Sequence, residues 1–137
     1  MRNTVLIDSG PLIALFDKDD HYHERVKAFL KGKPYRFLTT LAVLTEVTCM
    51  LDFSVNAQID FLRWVILRGL SFVEMDQADI ARIITLTEKY SDLPMDFSDA
   101  TLVVAAEKTG VHSIISIDSD FDIYRLPGKR LIKNLFQ

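Results

Sequence analysis

The stretch Val5-Leu6-Ile7-Asp8-Ser9-Gly10-Pro11 decides how the rest of the chain is read. Val5, Leu6 and Ile7 form a short apolar run, two of the three β-branched, which predicts a buried strand. Asp8-Ser9-Gly10 ends that run, and Pro11 suits the first position of a helix, where its missing N–H would have no partner anyway. The segment therefore reads as strand, turn, helix, with a carboxylate at the junction.

Working outward, the same alternation recurs. A helix is expected over about Asp20 to Lys31, with Tyr22, Val26, Phe29 and Leu30 on one face and Gly32 at its end. Arg36–Thr39 reads as a strand. Thr40 then caps a helix with the apolar stripe Val43, Val47, Met50 and Leu51. Ser54 caps a further helix, Val55 to Arg68, closed by Gly69. Ser71–Met75 reads as a strand, and Asp76 opens a helix carrying Ile80, Ile83 and Ile84 to about Tyr90. Phe97 to Thr109 is helical with Gly110 as its stop, Ser113–Ile117 is a strand, and Leu131–Leu135 a last one. Alternating strands and helices predict an α/β fold, a single domain over 1–137 with a parallel central sheet flanked by helices on both faces. Its crossovers would be right-handed, and chemistry would lie beyond the carboxyl ends of the strands.

Composition bounds the answer. The 137 residues are 49% hydrophobic and 26% charged, with only 5 Gly and 4 Pro, which suits one packed core and no internal disordered tract. Cys49 alone excludes an internal disulfide framework or a multi-cysteine metal site, and its place in an apolar helical pattern predicts a buried, inert thiol. Asp8 interrupts the first apolar run and no small-residue cleavage site follows, so neither a signal peptide nor a membrane span is expected, and the protein is expected in the cytoplasm. The net charge of −3 argues against a simple nucleic-acid binder unless several acids are gathered in one place and neutralised by cations.

Asp8 follows the first strand and Asp118 the strand Ser113–Ile117, so both should project from the carboxyl edge of the sheet, although each also suits a local turn. Asp99 is harder to explain locally. It lies three and four residues before Leu102 and Val103, on the stripe continued by Ala106, where an unpaired charge is costly. Glu46 borders the stripe of Val43 and Val47. Asp96 either caps the helix from Phe97 or joins a metal site, whereas Asp120 and Asp122 read as solvated loop acids. Carboxylates meeting from separate segments would repel one another unless a hard cation joined them, and oxygen ligands select Mg2+ or Mn2+. His21, His23 and His112 lack a paired spacing for a histidine metal site.

The blocks Val5–Gly10, Thr45-Glu46-Val47, Met95-Asp96-Phe97-Ser98-Asp99-Ala100 and Ile117-Asp118-Ser119-Asp120-Phe121 resemble, in order and approximate spacing, the signature blocks of PIN domains, nearest to the VapC-like toxins. The resemblance implies Asp8, Glu46, Asp99 and Asp118 as a catalytic, metal-holding quartet, with Asp96 as an additional acid and Ser9 steadying the site. It further implies a Mg2+- or Mn2+-dependent endoribonuclease acting on RNA, often a homodimer held in check by a cognate antitoxin. The alternatives are a PIN-like module that binds RNA or protein without cutting, and a phosphatase using Asp8 as nucleophile. Arg25, Lys27, Lys31, Lys33 and Arg36 form one basic group for phosphate contacts, and Arg125, Lys129, Arg130 and Lys133 another. Ile59, Phe61, Leu62, Trp64, Val65, Ile66 and Leu67 cover most of the helix Val55–Arg68, which points either to a second chain or to deep burial.

Overall fold

A computed structural model describes residues 3–68, 70–93 and 95–136. Its strands are β1 (Thr4–Ile7), β2 (Arg36–Thr39), β3 (Ser71–Phe72), β4 (Ser113–Ile115), β5 (Arg125–Leu126), β6 (Arg130–Leu131) and β7 (Lys133–Asn134). Its helices are α1 (Ser9–Phe16), α2 (His23–Leu30), α3 (Leu41–Met50), α4 (Val55–Arg68), α5 (Gln77–Lys89) and α6 (Phe97–Thr109). Five strands make a parallel sheet in the order β3-β2-β1-β4-β7. Val5, Leu6 and Ile7 are all buried although successive side chains of a strand point to opposite faces, so helices cover both sides of β1. α1 packs against α2, α3 and α4, α5 packs against α6, and α3 meets α6.

The strand order sets the position of the site. From β1 the chain moves outward to β2 and β3, then returns to the other side of β1 for β4. The reversal opens a crevice at the carboxyl ends of β1 and β4, where open α/β sheets bind their ligands. Asp8 lies at its floor, with its backbone N–H still bonded to the Ile115 carbonyl at 3.0 Å.

Several expectations need correction. Helix α1 starts at Ser9 with Asp8 as its cap, so Pro11 is the third helical residue, still within the first turn where an amide proton has no intrahelical partner. Helix α2 is shorter than expected because Asp20 and Tyr22 are taken up in a turn, the Tyr22 N–H donating to the Asp20 carboxylate at 2.8 Å. Cys49 is exposed. The buried face of α3 is Val43, Val47 and Leu51, spaced four apart, which turns Cys49 and also Met50 to the outside. Ile80 and Ile84 are likewise exposed on α5, leaving Ile83 and Leu86 as its buried contacts. The strands at Ser71 and Ser113 end at Phe72 and Ile115. The expected last strand divides: Arg130–Leu131 returns antiparallel on β5, and only Lys133–Asn134 joins the sheet.

Helix α6 is buried from Ser98 to Ala106, on every side rather than along one stripe, and ends in Gly110 at φ 74°. In α4 only Phe61 and Val65 are buried, while Val55, Ile59, Leu62, Ile66 and Leu67 are exposed, which removes the deep-burial reading. Its expected closure at Gly69 lies outside the described residues. Among the described residues no helix is long and apolar enough to cross a membrane.

Candidate metal centre

The site is assembled from chain ends that each have a local reason to stop where they do. Asp8 is the N-cap of α1: one carboxylate oxygen accepts from the Ser9 N–H at 2.8 Å, the other from the Ser116 hydroxyl at 2.9 Å. Ser116 in turn accepts from the Asp118 N–H at 3.0 Å, joining the ends of β1 and β4 through one hydroxyl. Asp118 caps the 3-10 turn Ser119–Asp122 by accepting from the Asp120 N–H at 2.9 Å. Glu46 reaches in from α3, where it accepts a hydrogen bond from the Ser9 hydroxyl. Helix α3 is held at its start by Thr40, whose hydroxyl lies 2.8 Å from that of Thr101 on α6.

Asp99 enters from α6. Its N–H donates to Asp96, the N-cap of that helix, at 2.8 Å, and its Oδ2 accepts from the Tyr124 hydroxyl at 3.1 Å. Asp8 and Asp99 are 5% and 6% exposed, so both are inside the protein, whereas Asp96 is at the surface. Asp99, Asp118 and Asp120 each offer a carboxylate oxygen within 4.8 Å of the others. Asp120 thus lies within the acidic crevice rather than in a solvated loop, because the tight turn after Asp118 folds it back over the site. Asp122 remains exposed.

Electrostatics follow from this crowding. Burial first, then the negative charges of Asp8, Asp96 and Asp118, push Asp99 up to about 8, against the smaller opposing effect of the Tyr124 hydroxyl. Burial also pushes Asp8 up to about 6, with Glu46 and Asp118 adding to it and the bonds from Ser9 and Ser116 working against it. Asp120 is raised by burial and by Asp118. Tyr124 is raised strongly, chiefly by burial and then by Asp99, and so stays a hydrogen-bond donor. The ion pairs among the described residues are His23–Glu24, Arg82–Glu107 and Lys108–Asp79, none of which touches this cluster. A set of oxygen donors with excess negative charge, and no basic side chain among the described residues to balance it, fits a hard divalent cation.

The structure brings Asp8, Glu46, Asp99 and Asp118 to one crevice, and gives Asp96 a capping role at its edge. Sequence reasoning missed Ser116, Tyr124 and Asp120. Only Asp120 carried a signal, since two acids flanking one residue of a turn after a strand can reach the same space. Ser116 and Tyr124 have no pattern that marks them.

A sheet with its acidic crevice at the reversal between β1 and β4 is the arrangement of the PIN domain, and the chain belongs to that family: the family model matches residues 5–126. Its fold is similar to that of the VapC20 toxin of Mycobacterium tuberculosis, a toxin that cleaves the sarcin–ricin loop, with a TM-score of 0.78 over 87% of this chain and 93% of that one, at 18% identity. No curated protein matches the sequence.

Proposed function

We propose that this protein is a divalent-metal-dependent endoribonuclease, a single nuclease domain over 1–137 that acts on RNA in the cytoplasm as the toxin of a toxin–antitoxin pair. The observation that carries the reading is a pair of buried carboxyls, Asp8 and Asp99, crowded by further acids with no cationic side chain among the described residues bonded to them. Asp8, Glu46, Asp99 and Asp118 would hold Mg2+ or Mn2+, with Asp120 and Asp96 at the rim. A bound divalent cation supplies Lewis acidity and an ionised water near neutral pH. The chain's own part is to orient and to give up protons. Ser9 keeps Glu46 turned toward Asp8, Ser116 spans Asp8 and Asp118, and Tyr124 fixes Asp99. Asp99 and Asp8, protonated in part when no cation is present, release those protons as it binds. No side chain is assigned as a nucleophile.

Helix α4 supports a homodimer. Val55, Ile59, Leu62 and Ile66 are exposed at four-three-four spacing along one side, the seam by which two helices interdigitate. A cognate antitoxin is the expected partner in the cell. The deciding experiment is cleavage of single-stranded RNA by the full chain with Mg2+ or Mn2+, with EDTA, and by Asp99→Asn. Cleavage by the metal-loaded native protein alone is expected; undiminished cleavage by Asp99→Asn contradicts the assignment.

A further inference from the structure

The hairpin of β5 and β6 turns through Pro127, Gly128 and Lys129 and faces the end of α5 across a cavity of about 510 Å3. Arg82, Lys89, Arg125 and Lys129 line it beside Tyr90, and none of its lining residues is an acid. In a chain of net charge −3 this is a local inversion. The four cations differ in availability. Arg82 is held by Glu107 through two hydrogen bonds of 3.0 and 2.9 Å. Lys89 lies over the Tyr90 ring, 5.3 Å from its centre. Among the described residues the Arg125 guanidinium donates only to the carbonyls of Asp122 and Tyr124, at 2.5 and 3.0 Å, which fix its orientation without cancelling its charge.

Lys129 is the more telling residue. At φ 61° it is the one non-glycine with positive φ among the described residues. Glycine would adopt this backbone without strain, so a lysine there calls for a reason beyond the turn. The cavity also backs onto the acidic crevice. The Tyr124 hydroxyl bonds Asp99, the Tyr124 and Tyr90 rings meet edge to face at 5.1 Å, and the Tyr90 hydroxyl accepts from the Arg125 N–H at 2.9 Å. One pair of rings separates the two fields of opposite sign.

We propose that this cavity is a phosphate subsite that holds a backbone phosphodiester of the same RNA strand whose scissile phosphodiester is presented to the acidic crevice, through Arg125, Lys129 and Lys89. The inference rests on the nuclease reading and extends it. Acids that gather a cation also repel a polyanion, so a substrate strand needs fixed cations close by but outside the metal's shell. Arg125 offers a planar fork suited to phosphate oxygens, and the two lysines add point charges. Of the basic residues near the C-terminus, Arg130 and Lys133 do not line the cavity, while Lys89 and Arg82 join it from α5.

The test uses the full chain with Lys89→Gln and Lys129→Gly together, and a labelled single-stranded RNA oligonucleotide in EDTA, over 50 to 200 mM KCl. Two lost phosphate contacts make the plot of log affinity against log salt shallower by about 1.4. The affinity advantage of the native protein therefore shrinks about sevenfold across that range. Lys129→Gly alone should melt at the native temperature or above, which separates the lost charge from lost structure, and Lys129→Arg should keep the native slope. An unchanged slope in the double variant overturns the subsite while leaving the nuclease standing, provided the native protein still cleaves RNA with Mg2+. A native protein that neither binds nor cleaves RNA overturns both.

Discussion

Replacing Asp99 by Asn should remove activity and at the same time make the metal-free protein more stable. The folded protein holds the Asp99 carboxyl near 8, against 3.8 for the unperturbed group. At about 1.36 kcal/mol for each tenfold in proton affinity, that difference lowers stability by about 4 kcal/mol at pH 7, because the unfolded chain ionises freely and the folded chain does not. Relaxation of the crevice and water reaching it screen part of that cost. Asn keeps an acceptor for the Tyr124 hydroxyl and adds an amide donor facing Asp118 and Asp120. A gain of about 2–4 kcal/mol is expected, or roughly 10 °C in melting temperature for a chain of this size.

The sign of the pH dependence separates this from a generic effect of mutation. A carboxyl raised in the folded state stabilises fully below its unfolded value, and that contribution is lost as pH rises through the folded value. In EDTA the native protein should therefore lose stability steadily between about pH 4 and pH 8. Asp8, raised to about 6, accounts for part of the lower half of that range, and Asp99 for the upper half. Asp99→Asn should be nearly flat above pH 6. Added Mg2+ should restore the native protein, by about 2.7 kcal/mol at a hundredfold excess over its dissociation constant, and leave the variant unmoved. Thermal melts at closely spaced pH values decide the matter. A destabilised variant, or a native curve already flat between pH 6 and 8, would refute the crowded-carboxylate account.

Tyr124→Phe removes the hydroxyl on Asp99 but keeps the ring packed on Tyr90 and Phe121, so calorimetric Mg2+ affinity should fall about 10–100-fold while stability drops by about 0.5–1.5 kcal/mol. Ser9→Ala frees Glu46 from its tether to the α1 cap, and RNA turnover should fall roughly 10–100-fold with KM little changed in steady-state kinetics. Ile66→Glu places a charge on the exposed seam of α4, and light scattering at micromolar concentration should report a dimer for the native chain, as proposed, and a monomer for the variant.

How much of this was legible in the sequence depends on the range over which each signal acts. Caps and stops are local, and Thr40, Asp76 and Gly110 stand where short-range chemistry puts them. Helix faces are less local: Met50 and Cys49 looked inward because α3 carries apolar residues on more than one side, and only the packing of Val43, Val47 and Leu51 decides between them. Strand ends depend on a neighbour's reach. β3 stops at Phe72 because β2 beside it ends at Thr39, and the split between β6 and β7 follows from a hairpin that no turn residue other than Pro127-Gly128 announced. Asp99 was legible for the opposite reason, since an acid on a buried stripe violates a local rule and so marks a site.

The same rule explains why single acids looked ambiguous. Asp8, Asp96 and Asp118 each cap a helix or a helical turn, so the local reading of each was correct and still incomplete. Capping turns a carboxylate toward backbone N–H groups, which stabilise its charge and offset some of the repulsion from its neighbours. Asp99, inside α6 rather than at its cap, lacks that compensation beyond one tyrosine hydroxyl, and it is the acid with the more strongly raised value of the two buried ones. Three capped carboxylates form a frame that tolerates assembly without a cation, and one buried carboxyl inside the frame keeps the crevice short of positive charge. A centre built this way would fold first and load afterwards, so the acid whose replacement most stabilises the empty protein should also be the one whose replacement most weakens its hold on the proposed metal.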